Sequence, residues 1–419
     1  MQAVEFRLSI PKYLLARGIG RRLPELHTNK VFGQVALRDV TDPVLPGPDW
    51  LALEPVLAGV CGTDLGTIAG RTSPALAPFS SFPAVLGHEV VARVAVVGEA
   101  VEGFAPGERV VVDPWISCTV RGLEPCAPCR AGRPYLCRRA AEGPFGPGML
   151  VGFCRGLPGG WSERMVVHKS QVYKVPEGLS DAQAVLTEPI GVALHGVLKS
   201  LDEGGPTGAT PAKVLVIGAG PIGLAVVVAI RLLGLPWHVT SLARHAAQRE
   251  LAFAFGADSV VGSNRDSALR AAEEVTGAKR FLPPIGKGVV TGGFDVVFDC
   301  AGTAVSVDDA LRVAREGGRV VLLGGAGQLR SVDWTFVWMR ELQVIGSVGC
   351  GLEPHYGRHT FEVLFSLLER AAGLNGVPPV ERMITHRFSL DAYREALQAN
   401  FDRGRTGAVK TVFEVGSSS

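Results

Sequence analysis

The chain has 419 residues, of which 47% are hydrophobic and 20% are charged, and its formal net charge is +2. This balance is typical of a folded globular protein, and at about 150 residues per domain the length predicts two or three domains. A disordered chain is thereby excluded, and the near-neutral charge without a long basic run argues against nucleic-acid binding.

Two stretches of the sequence indicate the cellular compartment. The first twenty residues have scattered charges and lack the apolar core and cleavage site of a secretory signal. The most apolar stretch, residues 214–230, is short for a membrane span and is interrupted by three glycines and a proline. We therefore expect a cytoplasmic protein whose eight cysteines stay reduced, so that clustered thiols indicate a metal or catalysis.

Short apolar segments separated by turn residues fill the first half and predict a β-rich, barrel-like unit. The clearest predicted strands are WLALEPVLAGV, AVLGHEVVARVAVVG and GERVVVDPW. Two short motifs lie among them, GVCGTD at residues 59–64 and GHE at residues 87–89. A third, TEP at residues 187–189, comes just before the pattern changes.

Half of the eight cysteines fall in one loop rich in glycine and proline: Cys118, Cys126, Cys129 and Cys137. A disulfide knot, a metal site, a redox pair and chance could each place thiols there, and a reducing compartment favours the metal. A redox Cys-x-x-Cys would open a helix beside a thioredoxin-like unit, which this loop does not. The remaining cysteines outside the motifs have no matching partners, and we interpret them as buried apolar residues: Cys154, Cys300 and Cys350.

From about residue 211, strands alternate with helices, which predicts βαβ units and a parallel sheet. The series starts with the apolar strand KVLVIG and a helical run over residues 221–234, and it continues to RVVLLGG. RFLPPIGKGVVTGG indicates a loop insertion before a strand, and RHTFEVLFSLLERAAG predicts an amphipathic helix. The C-terminal segment ends in the strand-like AVKTVFEV.

The turn GAGPIG matches the dinucleotide-binding pattern G-x-G-x-x-G, with Gly218, Gly220 and Gly223 enclosing Pro221 and Ile222. The first glycine permits the tight turn, the second lets the backbone approach a pyrophosphate, and the third lets the helix pack on the strand. The helix N-terminus then offers unpaired N–H groups to the phosphates. Because an apolar strand precedes the turn and an apolar helix follows, a nucleotide-binding turn is favoured over a glycine-rich turn without a ligand.

The residues after the second predicted strand indicate which nicotinamide cofactor binds. No acidic residue lies between Gly223 and Glu250, where NAD-binding chains place a ribose-binding carboxylate. Arg244 suits bidentate contact with a 2′-phosphate, and Ser241 and His245 could add hydrogen bonds. The sequence therefore favours NADP(H) over NAD(H), the alternative being that Arg244 is a surface arginine.

The motifs GVCGTD, GHE, TEP and GAGPIG, in this order, resemble those of the zinc-containing alcohol dehydrogenases of the medium-chain dehydrogenase/reductase superfamily. The resemblance covers nearly the whole chain and is closest to the branch of threonine, sorbitol and glucose dehydrogenases. It implies an α/β fold in which a GroES-like β-barrel catalytic domain comprises residues 1–188 and 347–419. A Rossmann doubly wound parallel sheet at residues 189–346 would bind the cofactor.

The same resemblance implies a catalytic zinc bound by Cys61, His88 and a carboxylate from Glu89 or Glu188. Zinc accepts thiolate, imidazole and carboxylate ligands, and a catalytic site leaves one position open for water or substrate. Such a zinc polarises a bound alcohol or carbonyl, and a hydride passes between the substrate carbon and the nicotinamide. Thr63 matches the family's hydroxyl that takes the alcohol proton.

Three further positions refine this comparison. Asp64 matches a carboxylate that orients a ligand histidine. Gly66 stands where many liver-type members have a relay histidine, so the relay must end at cofactor ribose, water or another side chain. His195 follows Glu188 in a predicted helix and could line the cofactor site or simply pack.

The family often carries a lobe with the spacing C-x2-C-x2-C-x7-C that binds a structural zinc, here residues 118–137. This chain keeps the last three cysteines in register, but seven residues, TVRGLEP, separate Cys118 from Cys126. We expect this insert to loop out and return Cys118 to the metal. Four thiolates would then close a tetrahedral site and stabilise a loop without a core of its own.

The favoured function is a zinc-dependent oxidoreductase that transfers a hydride between NAD(P)(H) and an alcohol or polyol, or its carbonyl counterpart. Reduction of an activated alkene or imine on the same scaffold is the alternative. A non-enzymatic nucleotide-binding protein and a nucleic-acid zinc ribbon fit the motifs less well. The expected partners are a small-molecule substrate and further copies of the chain, as a homodimer or homotetramer, with no nucleic acid and no membrane.

Overall fold

The computed structural model describes residues 1–18, 20, 23–202, 205–206, 211–373 and 378–416. Its strands are β1 (Gln2–Phe6), β2 (Val35–Asp39), β3 (Trp50–Gly59), β4 (Ala84–Val85), β5 (Val90–Val97), β6 (Arg109–Val112), β7 (Met165–His168), β8 (Val172–Lys174), β9 (Lys213–Ile217), β10 (His238–Ala243), β11 (Ser259–Gly262), β12 (Lys279–Phe281), β13 (Val289–Thr291), β14 (Phe294–Asp299), β15 (Ala314–Leu322), β16 (Gln343–Gly346), β17 (Leu352–Glu353), β18 (Arg358–His359), β19 (Ile384–Ser389) and β20 (Lys410–Glu414).

The α-helices of the described chain are α1 (Ile10–Gly18), α2 (Gly62–Ile68), α3 (Ala127–Arg130), α4 (Asp181–Ala184), α5 (Thr187–Leu201), α6 (Pro221–Leu232), α7 (Ala246–Ala254), α8 (Ser267–Ala271), α9 (Ala304–Val313), α10 (Thr335–Met339), α11 (Thr360–Gly373), α12 (Tyr393–Phe401) and α13 (Arg403–Thr406). Short 3-10 turns cover Pro24–His27, Pro74–Phe79, Pro134–Leu136, Lys169–Gln171 and Val380–Met383, and a π-helical turn covers Ala272–Thr276.

Contacts divide the chain into two compact units. The first comprises Met1–Glu188, Cys350–Glu362 and Ile384–Ser419, and the second comprises Pro189–Gly349 and Val363–Met383. The predicted first domain includes all of residues 347–419, whereas Val363–Met383 packs with the second unit. There, Arg370 of α11 donates a hydrogen bond of 2.8 Å to the carbonyl oxygen of Leu232 at the end of α6.

The second unit is built on a six-stranded parallel sheet in the order β11-β10-β9-β14-β15-β16. The central strands are apolar in their middle residues because helices cover both faces of a doubly wound sheet. In β9, for example, Val214, Leu215 and Val216 are fully buried. The predicted parallel α/β sheet is confirmed, and its strand order is that of a dinucleotide-binding fold.

The first unit is dominated by antiparallel strands. A seven-stranded sheet runs β19-β20-β3-β5-β6-β8, with β7 paired to β3, and a three-stranded sheet runs β2-β1-β4. The long strand β3 pairs with β5 along one edge. Along its other edge it pairs with β7 at its start and with β20, near the C-terminus, at its end. The predicted strand WLALEPVLAGV is therefore the centre of this unit.

The segment RFLPPIGKGVVTGG, predicted as a loop insertion before a strand, contains a hairpin. Its ends pair as the antiparallel hairpin of β12 and β13, with Val290 fully buried. Val289, Val290 and Thr291 are β-branched and favour a strand, and the Pro283–Pro284 pair restricts the turn between. Lys287 of this hairpin also forms an ion pair with Asp309 of α9.

None of the helices in the described ranges combines the length and the apolar character that a membrane crossing requires.

Candidate active site and metal centres

The first candidate ligand, Cys61, precedes α2 in the first unit. The Asp64 carboxylate accepts a hydrogen bond of 2.9 Å from the Cys61 backbone N–H and so fixes the turn into the helix. The Thr63 hydroxyl oxygen lies 3.7 Å from the Cys61 sulfur. The motif GVCGTD thus places a thiol, a hydroxyl and a carboxylate within one helical turn.

His88 and Glu89 lie between β4 and β5 and are both buried. Asp64 reaches His88 as well, since its Oδ1 is 3.5 Å from His88 Nδ1. This contact leaves Nε2 as the nitrogen that can face a metal. Gly59 makes room for the other residue, because a side chain there would collide with the Glu89 carboxylate.

The sulfur of Cys61, a ring nitrogen of His88 and a carboxylate oxygen of Glu89 lie within 4.8 Å of one another. Zinc bonds of about 2.0–2.3 Å place neighbouring tetrahedral ligands about 3.3–3.8 Å apart, so small side-chain movements would suffice. One sulfur, one nitrogen and one oxygen are also the ligand types of catalytic zinc sites with a fourth position open. The donor set therefore fits the ion that the resemblance implies.

The electrostatics of the site favour a positive charge on the imidazole. Burial lowers the pKa of His88, but the Asp64 carboxylate and the Cys61 thiolate outweigh it, and the pKa is raised well above 6.5. The negative charges of Asp64 and Cys61 that favour a proton on the His88 ring would equally favour a metal cation bound to it.

Glu188 opens α5 and stands outside this group of three donors. Burial raises the pKa of Glu188 to about 7; the Glu89 carboxylate acts in the same direction, and the His88 and Lys410 charges oppose it. Glu188 is thus an electrostatic neighbour of the candidate ligands, while Glu89 is the carboxylate that lies with Cys61 and His88.

Lys410 is a residue of this site that the motifs do not reveal. Its ammonium group forms an ion pair with the Glu89 carboxylate, and the two side chains are 1% and 2% exposed. The residue belongs to β20, more than three hundred positions along the chain from Glu89. One signal could have indicated it, because a lysine inside the apolar strand AVKTVFEV needs a buried partner.

The four clustered cysteines converge in the first unit. The sulfur atoms of Cys118, Cys126, Cys129 and Cys137 all lie within 4.8 Å of one another. The Cys118 and Cys137 sulfurs are 3.6 Å apart, far beyond a disulfide bond and close to the separation of about 3.8 Å that a tetrahedral Zn–S site requires. The donor set therefore fits a closed structural zinc site.

Backbone N–H groups already stabilise negative charge on these sulfurs. The N–H of Cys126 donates to the Cys118 sulfur at 3.3 Å, and that of Arg139 donates to the Cys137 sulfur at 3.4 Å. Although burial opposes it, hydrogen bonds from the backbone of Arg138 and Cys129 lower the pKa of the Cys126 thiol to about 6. Burial raises the pKa of Cys137 to about 11, as expected for one of several thiols competing for ionisation without a cation.

The insert TVRGLEP returns Cys118 to the other three cysteines, as expected. It does not loop out into solvent, however, because its residue Arg121 is buried. Arg121 is 1% exposed, and its guanidinium donates hydrogen bonds to the carbonyl oxygens of Ala140, Glu142, Gly146 and Gly148. Planar Arg offers donors in a fixed fork, so one side chain can hold several carbonyl groups of the returning loop.

The second unit contains the predicted nucleotide-binding turn between β9 and α6. Gly218 adopts φ +95°, which favours glycine. A side chain at Gly223 would collide with the Gly218 carbonyl oxygen, whereas the space beside Gly220 is open. Pro221 and Ile222 begin the helix. The turn therefore has the open backbone surface that a pyrophosphate requires.

The residues considered for the 2′-phosphate lie at the end of β10. Arg244 follows the strand directly and is exposed, and His245 precedes α7 and is half-buried. Ser241 lies within β10 and is 1% exposed. Of these three side chains, that of Arg244 is the most exposed, because the residue lies beyond the end of β10.

The remaining predictions concern single residues. His195 is buried within α5 of the second unit, and Gly66 lies within α2 with the Thr72 hydroxyl nearby. Cys154 and Cys350 are buried as predicted, whereas Cys300 is partly exposed at the end of β14. The prediction of a buried side chain is therefore only partly met at Cys300, which follows the last residue of β14 and is half-buried.

Comparison with known proteins identifies the family of the chain. Residues 47–177 match the family described as alcohol dehydrogenase GroES-like domain, and residues 221–370 match the family described as zinc-binding dehydrogenase. The L-threonine 3-dehydrogenase of Anaeromyxobacter dehalogenans (strain 2CP-C) is 31% identical over 84% of this chain and 88% of its own.

Solved structures are also similar over nearly the whole chain. A protein described as a zinc-binding dehydrogenase from Sinorhizobium meliloti 1021, bound to NADP, is 30% identical with a TM-score of 0.69, covering 99% of this chain and 98% of its own. An alcohol dehydrogenase from E. coli CFT073 complexed with NADH is 24% identical, with a TM-score of 0.72 and 99% of each chain covered.

These relatives favour dehydrogenation of an alcohol over reduction of an alkene or imine and over a non-enzymatic role. They confirm the predicted GroES-like unit beside a Rossmann sheet, and they support zinc and a nicotinamide cofactor. The chain therefore belongs to the zinc-dependent alcohol dehydrogenases of the medium-chain dehydrogenase/reductase superfamily, which transfer a hydride between an alcohol and NAD(P).

Proposed function

We propose that Cys61, His88 and Glu89 hold the catalytic zinc of this alcohol dehydrogenase, with Glu188 as a second carboxylate beside them. The observation that carries the proposal is the convergence of three donor atoms within 4.8 Å. We also propose that the four cysteines of the lobe hold a structural zinc. The functional domains that we propose are residues 1–188 with 347–419 and residues 189–346, except that Val363–Met383 belongs with the second.

The chemistry assigns a task to each side chain of the site. A bound zinc would supply Lewis acidity and a bound nicotinamide would accept the hydride. The Thr63 hydroxyl, beside the Cys61 sulfur, would accept the proton of the substrate alcohol and release its own proton to water, since Thr63 is exposed. Asp64 orients His88, and Lys410 holds Glu89 by its charge. The Phe153 ring, 5.7 Å from the His88 ring, excludes water from one side.

The test is the oxidation of L-threonine, 2,3-butanediol and a polyol by the purified enzyme, followed by the absorbance of the reduced nicotinamide. We expect turnover with at least one alcohol, and Cys61→Ser should lower kcat/KM by about a thousandfold or more while one zinc per chain is lost. Full activity in Cys61→Ser, or turnover only with enones or imines, would contradict the proposed function.

We further propose that the preferred cofactor is NADP(H), bound through Arg244 with support from His245 and Ser241. The proposal is supported by the absence of an acidic residue from Gly223 to Glu250 and by the exposed position of Arg244 after β10. Because charge-assisted hydrogen bonds contribute about 1.5–3 kcal/mol, Arg244→Gln should lower kcat/KM for NADP by about 10- to 100-fold.

The matched control for this prediction is Lys213→Gln, which removes one exposed positive charge at the opposite end of the sheet. Its ratio of kcat/KM for NADP over NAD should equal that of the wild type. An equal loss for both cofactors in Arg244→Gln, or a wild type that prefers NAD, would refute the NADP assignment.

The assembly and the compartment are part of the same proposal. Eight unpaired cysteines, four of them in the lobe, suit a reducing compartment and support a cytoplasmic location. A homodimer or homotetramer is the expected assembly, and light scattering on the purified chain measures it.

A further inference from the structure

A strongly basic segment lies between β1 and β2 of the first unit. Residues 7–33 contain six lysines and arginines and one glutamate, in a chain whose total net charge is +2. Two of the arginines, Arg21 and Arg22, lie outside the described residues. The rest of the segment forms α1 and the turn Pro24–His27, which are long additions to what would otherwise be a two-stranded hairpin.

This segment packs against the helix that follows Cys61 and against α12. The Tyr13 ring lies over Gly70, just beyond α2, at a distance that leaves only about a methyl group's space. The His27 ring contacts the Phe401 ring at a centroid distance of 4.8 Å. Thr28 donates a hydrogen bond of 3.3 Å to the side-chain oxygen of Gln398. The basic segment therefore lies next to α2 and α12 in the first unit.

One further arginine, Arg71, lies over the Phe401 ring, and another, Arg403, follows Phe401 two residues later in the chain. The Arg71 guanidinium carbon lies 5.9 Å from the centroid of the Phe401 ring, and the side chain is exposed. Arg403 begins α13 and donates a hydrogen bond of 3.3 Å to the Asn400 side-chain oxygen. Burial lowers the pKa of His27 and Arg71 lowers it further, while Glu25 acts in the opposite direction.

A short chain of contacts connects Arg403 to Cys61. Its partner Asn400 donates a hydrogen bond of 2.8 Å to the Thr411 hydroxyl. The Thr411 carbonyl accepts a hydrogen bond of 2.9 Å from the backbone N–H of Val60, the residue before Cys61. Three hydrogen bonds therefore connect Arg403, through Asn400 and Thr411, to the residue before Cys61.

Arg403 has no carboxylate to balance it within the described ranges. Its Nε is buried without a hydrogen-bond partner there, and its one side-chain bond is to a neutral amide. Burial lowers the pKa of Arg403 and Arg71 lowers it further, while the Cys61 thiolate alone acts in the opposite direction. A thiolate that binds a metal cation no longer offers a free negative charge to a guanidinium.

An uncompensated, half-buried guanidinium beside a second one is costly unless an anion binds it. Planar guanidinium groups match carboxylate and phosphate oxygens with paired hydrogen bonds. Resting on the proposed function, we propose that the alcohol substrate carries a carboxylate or phosphate group, which Arg403 and Arg71 bind beside Cys61.

The test compares charged and neutral alcohols in matched pairs with the zinc-loaded enzyme. One arm uses 3-hydroxybutyrate against 2-butanol, and the other uses glycerol 3-phosphate against glycerol, so the two arms separate a carboxylate from a phosphate. We expect kcat/KM to favour the charged member of one arm by about tenfold or more. The advantage should lie in KM and should shrink as ionic strength rises.

Variants identify the residues that are responsible. Arg403→Gln should lower the charged-to-neutral ratio of kcat/KM by about tenfold, and Arg403→Lys should lower it less. Arg71→Gln, at an exposed position, tests the same site without disturbing the core. The control is Arg405→Gln, two residues further on, whose exposed side chain pairs with Asp402; its ratio should equal that of the wild type.

Three results would overturn the inference: no preference for the charged member in either arm, an unchanged ratio in Arg403→Gln and Arg71→Gln, or the same loss in Arg405→Gln. Calorimetric binding of 3-hydroxybutyrate and glycerol 3-phosphate separates this inference from the proposed function. Binding that depends on Arg403 without any turnover would refute the proposed function alone. Turnover of neutral alcohols without Arg403-dependent binding would refute the anion site alone.

Discussion

At the scale of single residues, Lys410 and Glu89 form a buried ion pair, and Glu89 lies with the candidate donors Cys61 and His88. Cys61, His88 and Glu89 were predictable because each motif is short and its ligand type is chemically distinctive. The sequence leaves the choice between Glu89 and Glu188 open, since both are carboxylates near glycine or proline, and the structure groups Glu89 with the other two candidate donors. Lys410 was not predicted, because its partner Glu89 lies just before β5, more than three hundred residues away along the chain.

Lys410 leads to a prediction about stability and metal binding. In Lys410→Met the Glu89 carboxylate would be buried without its partner, which costs about 3–5 kcal/mol in comparable buried pairs. We expect a free energy of unfolding lower by about that amount, measured by urea denaturation, and weaker retention of the zinc at Cys61.

Two further variants test whether the loss of the ion pair with Glu89 causes the lower stability. Lys410→Arg keeps the positive charge and should stay close to the wild type, and the double variant Glu89→Gln/Lys410→Met should regain part of the loss. If Lys410→Met unfolds at the same urea concentration as the wild type, the ion pair with Glu89 does not stabilise the site.

At the scale of elements, the four-cysteine lobe shows what spacing can predict. The regular spacing of Cys126, Cys129 and Cys137 was enough to predict a metal lobe, but the path of the insert before Cys126 was not. That path depends on Arg121, whose hydrogen bonds reach carbonyl groups about twenty residues further on. The hairpin of β12 and β13 is a similar case, since its anchor Lys287 pairs with α9.

Cys118→Ser tests whether the insert completes the lobe. Four thiolates close a zinc site, and three with a serine hold zinc much more weakly, so we expect zinc content to fall from about two ions per chain to about one. The melting temperature should fall as well, because the lobe has few apolar contacts to stabilise it without metal.

The control for the lobe is Cys300→Ala, which removes a cysteine of the second unit outside both clusters. Its zinc content should match that of the wild type. Atomic absorption that finds about two ions per chain in Cys118→Ser would mean that Cys118 is not a ligand.

At the scale of the whole molecule, the sequence was informative where the pattern is periodic. Apolar strands alternating with helices predicted the parallel sheet, and GAGPIG placed its first turn. The division of the chain was harder to predict, because Val363–Met383 returns to the second unit after Cys350–Glu362 has joined the first. Helix α11 crosses that boundary, and its amphipathic pattern shows that one face is buried but not which unit covers it.

The measurement that tests the central claim most directly is an anomalous-difference map of crystals of the zinc-loaded protein, recorded at the zinc absorption edge. We predict one peak about 2.3 Å from the Cys61 sulfur and about 2.0–2.1 Å from a His88 ring nitrogen, with a second peak among the four lobe sulfurs. A map with full zinc occupancy in the lobe and no peak within bonding distance of both Cys61 and His88 would contradict the account.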